Sequence, residues 1–482
     1  MLAARVAETQ SSSTKPGARA GARSQSDRHR VLRSKQNGIG VFASELRIRA
    51  VAHLQPIQGG AQHVAVNALQ SIFVRFRGYP RQLWLVCLFA YACAQTELAL
   101  WSLALPLLRA EFGFSNAELG LITGLTFALG GILVVGLSTL ADRYGRRLML
   151  LVGTIAAAIF SGLHMVAAGV IGLVVVRTLT VAFSGLVFPS TGALVAEEAP
   201  PRIRGLMVGM LQIAVPIGWL VAAVIGALVL GTWGWRALFA AAALGVPAAL
   251  LVLAVVRESA PSRASSSRGN WRIVGLFREG MWRRTMPLFA AQSCFALAFG
   301  GGFVLMPLFL HDELGFRSVE SGVFVATGNA IGVLGYAAAA WIGEFHWTRR
   351  NTIVLSTLAA GIAFAVFAVL DRTEGVALLT YAVLTFFLLG TSAVKFPYIA
   401  ELYPSELRAT GIAFASSLAI HSGLAFGPAI VGLLVEEFGW AHALLIGGAL
   451  PLFVASGLFL LLQPLPSGLQ MAEIEARLRQ RP

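Results

Sequence analysis

Apolar segments of about twenty residues, the length of helix that crosses roughly 30 Å of hydrocarbon, recur along this chain of 482 residues. Twelve can be drawn, over 83–108, 118–140, 148–168, 170–196, 205–229, 234–256, 285–310, 318–343, 351–370, 375–400, 410–435 and 440–462. Only Gly169 separates the third from the fourth. The joined run of about 49 residues would be some 70 Å long as one helix, so it must cross twice. With 57% hydrophobic and 12% charged residues and a mean hydropathy of +0.74, the composition excludes a soluble globular domain. The chain reads as an all-α membrane protein with twelve transmembrane helices.

Short loops rich in Lys and Arg stay on the cytoplasmic side of a membrane. The loops after even-numbered spans hold fifteen arginines: Arg143, Arg146 and Arg147, then Arg202 and Arg204, seven between 257 and 284, Arg349 and Arg350, and Arg408. The loops after odd-numbered spans hold four, Arg109, Arg236, Arg317 and Arg372, among acids such as Asp312 and Glu313. Both termini and the Arg-rich loops are therefore expected in the cytoplasm, and the chain in a bacterial inner membrane. The net charge of +14 does not point to nucleic acid, because residues 1–80 alone hold twelve Lys and Arg against three Asp and Glu. That Arg- and Ser-rich head has no apolar run and reads as disordered. Its composition resembles a transit peptide, and it equally suits a dispensable tail or a start placed too far upstream.

Cys87, Cys93 and Cys294 fall inside apolar spans, with neither metal-ligand spacing nor a disulfide framework. There is no Gly-rich nucleotide loop, HExxH or nucleophile elbow. Neither a cofactor nor an enzymatic activity is expected.

The chain is written twice. ALVAEEAPPRIRG (193–205) ends span 4 and PYIAELYPSELRATG (397–411) ends span 10. Glu197, Pro200 and Arg204 recur as Glu401, Pro404 and Arg408, each 204 residues later. A fainter echo joins the loop STLADRYGRR (138–147) to WIGEFHWTRRN (341–351), where Glu344 precedes Arg349 and Arg350. The expected organisation is a basic segment over 1–80, a six-helix bundle over 81–256, a cytoplasmic linker over 257–284, a second six-helix bundle over 285–463 and a tail over 464–482. Parallel six-helix repeats are a transporter architecture with the substrate site between the halves.

The loop at 138–147 resembles the signature of the major facilitator superfamily, Gly-x-x-x-Asp-Arg-x-Gly-Arg-Arg. Asp142, Arg143, Gly145, Arg146 and Arg147 match it, and Ser138 replaces the first Gly. The resemblance implies a cytoplasmic gate in which Asp142 and Arg146 form a latch with Glu197 or Glu198. Arg143, Arg147 and Arg204 belong to the same cluster, and Glu344, Arg349, Arg350, Glu401 and Arg408 are its counterparts in the second half. Span 4, RTLTVAFSGLVFPSTGALVAEEAPPRIRG (177–205), resembles that of the aromatic-acid:proton symporters and sugar porters, although Val181 and Phe183 replace two of three expected glycines. Those families carry an acid nine residues before a Leu-Pro in span 1, as Glu97 stands before Pro106, while Ala94 replaces a second acid usual in the aromatic-acid group.

An ionisable group at membrane depth costs at least ~2.5–3.5 kcal/mol and needs a partner or a task. Glu97, Arg177 and Lys395 are the charges placed there, with His164 and His421 expected as helix-packing residues. Glu97 and Arg177 are expected to meet as an ion pair that protonation of Glu97 would release, which is the proton-coupling element of a symporter. Lys395, about 9 Å of helix above Glu401, is open to two readings: snorkelling to the cytoplasm or binding an anion. Tyr91, Gln212, Gln292 and Asn329 are candidates to orient a substrate, or to hydrogen-bond between helices. The function expected is proton-coupled import of a small organic anion, such as an aromatic carboxylate, by a monomer. The alternatives are an efflux permease, a sugar-type porter, or a membrane sensor that no longer transports.

Overall fold

The computed structural model describes residues 78–199, 204–258, 274–278, 280–370, 373–404 and 407–465; at 139, 141–143, 204–206 and 409 it describes the main chain alone. Residues 1–77 of the basic segment 1–80, most of the 257–284 linker and most of the 464–482 tail thus lie outside the described residues. Helix is the only regular structure among those described. Ten helices are long and apolar enough to cross a membrane, and two of them, Met207–Val255 and Thr410–Leu460, run for 49 and 51 residues. That is about twice what one crossing requires. Each breaks at a glycine, Gly234 with φ 72° and Gly439 with φ 74°, a backbone conformation that a Cβ would strain.

Twelve crossings result. They are numbered here α1 (Tyr79–Phe112), α2 (Asn116–Tyr144), α3 (Arg146–Leu163), α4 (Gly169–Glu198), α5 (207–233), α6 (235–255), α7 (Trp282–Leu314), α8 (Ser318–Phe345), α9 (Arg349–Val369), α10 (Glu374–Glu401), α11 (410–438) and α12 (440–460). The end that carries Arg146, Arg147, Arg349 and Arg350 is called the Arg-rich end below.

Packing follows the repeat. In the first half α1 lies on α5, α2 on α4, and α3 on α4 and α6; in the second, α7 lies on α11, α8 on α10, and α9 on α10 and α12. Each of these pairs has its counterpart six helices on, whereas among the described residues the extensive contact of α1 with α4 is not matched by a comparable one of α7 with α10. The halves meet along α2 with α11 and α5 with α8, two contacts that the same shift exchanges. Lipid tails are as apolar as leucine, so these seams depend on close backbone approach rather than on the hydrophobic effect. A Cβ on Gly432 of α11 would lie 2.5 Å from the Asn116 carbonyl oxygen of α2, and one on Gly322 of α8 would lie 2.7 Å from the Ala227 nitrogen of α5. Large apolar side chains such as Ile132, Ile171, Leu228 and Leu379 are exposed on the outside of the bundle, the face that lipid covers.

Candidate substrate and coupling site

Four charged side chains are buried among the described residues: Glu97, Arg177, Arg284 and Lys395. Glu97 and Arg177 are neighbours but not the ion pair expected from the sequence. The guanidinium of Arg177 on α4 donates to main-chain oxygens of α1, Nη2 to Leu98 at 3.1 Å and Nη1 to Glu97 at 3.4 Å. It also lies over the rings of Trp101, at 5.0 Å, and Phe127, at 5.6 Å, and ring faces attract a desolvated cation. The Glu97 carboxylate instead accepts from the Ser184 hydroxyl of α4, at 3.1 Å. Seven residues separate Arg177 from Ser184, two turns of one helix face, so α4 offers both groups to α1.

The surroundings of Arg177 are equally fixed. The Trp101 indole donates to Thr123 at 3.0 Å. His164 stacks on Phe239 with 4.3 Å between centroids and turns Nδ1 to the carbonyls of Phe160 and Ser161. His164 is a packing residue, as expected, and His421 likewise turns Nδ1 to the Ser417 carbonyl and packs against Gly131.

The polar candidates fall on faces that look across the seam. Tyr91 on α1 donates to Gln212 on α5 at 3.0 Å, and its ring lies against Phe188. Gln292 on α7 is buried and its Oε1 has no partner; Asn329 on α8 is buried and neither of its amide atoms has one. Lys395 does not snorkel: it is 6% exposed, with Nζ 3.2 Å from the Phe295 ring centroid of α7.

The halves close together on both sides of these residues. Toward the Arg-rich end, Phe188 of α4 meets Phe396 of α10 edge to face at 5.3 Å, and the Tyr336 hydroxyl donates to the Gly209 carbonyl at 2.8 Å. Toward the other end, Trp219 of α5 lies against Phe299 and Phe303, the ends of a π-turn in α7, a distortion frequent at functional sites. The Ser102 hydroxyl donates to the Val304 carbonyl just beyond it. Further out, Arg109 of α1 grips both carboxylate oxygens of Asp312 on α7, which also accepts from Asn116 and Trp440. Glu436 of α11 accepts from the Ala117 amide of α2 at 2.9 Å.

At the Arg-rich end the repeat predicted from sequence takes a definite form. Arg146 pairs with Glu197, and Arg349 pairs with Glu401 and Glu344. Each ties the start of the third helix of its half to the end of the fourth. The second arginine of each pair does something different from the gating expected of it. Arg147 donates to the Leu253 carbonyl at the end of α6, and Arg350 to the Leu462 carbonyl just beyond α12, where a cation also suits the helix dipole. Arg408 donates to the Ala400 and Tyr403 carbonyls around the end of α10. Glu198 is exposed and joins no ion pair among the described residues. The side chains of Asp142, Arg143 and Arg204 lie outside the described residues.

Sequence reasoning missed Arg109, Asp312 and Trp440. The signal was a second repeat, TWGWRAL (232–238) and EFGWAHA (437–443), with Gly-Trp in each copy 205 residues apart. In the first copy Trp235 and Arg236 both bind Glu111.

Residues 87–418 match the sequence model of the Major Facilitator Superfamily. The chain belongs to that superfamily. It is a multi-pass membrane transporter and not an enzyme. A putative niacin/nicotinamide transporter of Bacillus subtilis is 28% identical over 352 residues, covering 71% of this chain and 85% of the relative. A probable 4-methylmuconolactone transporter of Cupriavidus pinatubonensis is 27% identical over 384 residues, covering 76% and 87%. The superfamily fold is shared with a solved proton:xylose symporter, with a TM-score of 0.64 at 19% identity over 83% of this chain and 99% of that one.

Proposed function

We propose that this transporter is a proton-coupled symporter that imports a small organic anion, an aromatic or other carboxylate, by alternating access. It works as a monomer in the bacterial inner membrane, with the Arg-rich end in the cytoplasm as the positive-inside rule favours. The observation that carries this reading is Glu97, the one acid buried among the described residues. It has a partner in either charge state. The Ser184 hydroxyl donates to the ionised carboxylate, and a protonated carboxyl can donate to the same oxygen. Arg177, held on the carbonyls of residues 97 and 98, keeps a positive charge beside the site, so proton loss does not leave an anion alone in hydrocarbon. The names of two relatives give niacin or nicotinamide for one and 4-methylmuconolactone for the other; niacin and 4-methylmuconolactone are small carboxylic acids, which supports the substrate class.

The test is Glu97→Gln in proteoliposomes given a pH gradient and labelled nicotinate. Gln holds the site in its neutral form, so accumulation above equilibrium is expected to vanish while counterflow exchange continues. If the Gln variant still concentrates substrate when the gradient is applied, coupling through Glu97 is wrong.

A further inference from the structure

The second half buries a cation for which it holds no acid. Among the described residues no carboxylate lies within ion-pair distance of Lys395, and Glu401, six residues further along α10, is taken by Arg349. A lysine this close to a helix end normally carries its ammonium out to water. Lys395 turns inward and sets Nζ on the face of Phe295. A ring face attracts an ammonium but leaves its three N–H donors without the oxygen acceptors they had in water.

Two buried amides have polar atoms without a hydrogen-bond partner. Gln292 lies one turn before Phe295 on α7 with Oε1 unbonded, and Asn329 on α8 has neither amide atom bonded. Both belong to faces turned toward the first half. Phe299, seven residues after Gln292, touches Trp219. Gly322 and Tyr336, seven residues on either side of Asn329, meet Ala227 and Gly209. Buried polar groups in native proteins are ordinarily satisfied, and these three open positions lie on the faces of α7, α8 and α10 between the two closures.

We propose that Lys395, seated on Phe295, is the anchor for the substrate's carboxylate, with Gln292 and Asn329 binding polar atoms of its ring. One cation suits one carboxylate, so the substrate class narrows to monocarboxylates. The assignment rests on the proposed function, and it separates two tasks: Glu97 with Arg177 handles the proton, and Lys395 handles the substrate's charge.

The test compares matched acids and amides, nicotinate with nicotinamide and benzoate with benzamide. Binding is measured by calorimetry on purified protein in detergent, where no gradient and no coupling are needed. The wild type is expected to bind each acid about tenfold or more tightly than its amide, the contribution of one charge-assisted contact. Lys395→Met is expected to abolish that preference by weakening acid binding about tenfold or more while amide binding changes less, with a melting temperature no lower than that of the wild type because an uncompensated buried charge is removed, and Lys395→Arg to retain it. A preference for acids that survives in Lys395→Met overturns the anchor whatever Glu97→Gln does to accumulation. Should Lys395→Met not fold, Lys395→Gln is read in its place. A wild type that binds none of the four compounds overturns the substrate class and the anchor with it.

Discussion

The two outer corners of the molecule, opposite the Arg-rich end, are built from the same Gly-Trp repeat and do different work. At the first, Glu111 at the end of α1 accepts from Trp235 and Arg236 of its own half. At the second, Asp312 near the end of α7 accepts from Trp440 of its own half, but the position after that tryptophan is Ala441. The missing guanidinium is supplied by Arg109, from the opposite half. The first corner therefore holds one bundle together, whereas the second ties two bundles to each other. With alanine where the first copy has arginine, the second copy makes a tie between the halves instead of an internal brace. The Arg-rich end has the opposite character, since among the described residues Arg146 and Arg349 pair only with acids of their own halves. Those pairs stiffen each bundle there, while the closures seen between bundles among the described residues are uncharged: Phe188 on Phe396 and Tyr336 on Gly209.

Three substitutions probe the difference between the corners. Asp312→Asn should have the largest effect. The Arg109–Asp312 side chains are only 23% and 16% exposed, so removing the charge should cost more than a surface pair and shift the outer end toward the open state by about tenfold. Maleimide labelling of a cysteine placed at Ser102, beneath that tie, should speed up accordingly; unchanged labelling would show that the tie does not gate. Ala441→Arg restores the repeat and offers Asp312 a guanidinium from its own half. Arg109 then has a competitor, and the same labelling should rise by a smaller factor, about threefold if roughly half of a typical charge-assisted contact is lost. No rise would mean that Ala441 is not what leaves Asp312 open to Arg109. Glu111→Gln should matter least. Its pair with Arg236 is 39% and 42% exposed, a range in which ion pairs contribute about 0–1 kcal/mol. Melting temperature should fall slightly and labelling at position 102 should not move, and a rise equal to that of Asp312→Asn would erase the distinction between the corners.

Much of this was legible before any fold was known, and for a physical reason. Hydrocarbon allows long apolar helices and penalises charge, so segment length places the crossings and the rarity of embedded charge singles out Glu97, Arg177 and Lys395. The repeat of Glu197 as Glu401 likewise placed two carboxylates that the structure pairs with Arg146 and Arg349. The roles of the second arginines were not legible. Arg147 and Arg350 have the same loop context as their neighbours, and only the position of the last turns of α6 and α12 makes them caps.

The sequence by itself determined twelve crossings, two equivalent halves, the superfamily signature and three of the four buried charges, Arg284 falling in the expected linker, because each of these depends on composition and spacing along one helix or loop. The tertiary structure decided which groups those charges touch. Arg177 takes the carbonyls of residues 97 and 98 and two ring faces rather than the Glu97 carboxylate, Lys395 takes Phe295 rather than the membrane surface, and Asp312 takes an arginine from the other half. Contacts of this kind depend on the rotation of each helix about its axis and on the register between helices. Periodicity fixes a helix's apolar and polar faces, but only packing fixes what stands opposite them.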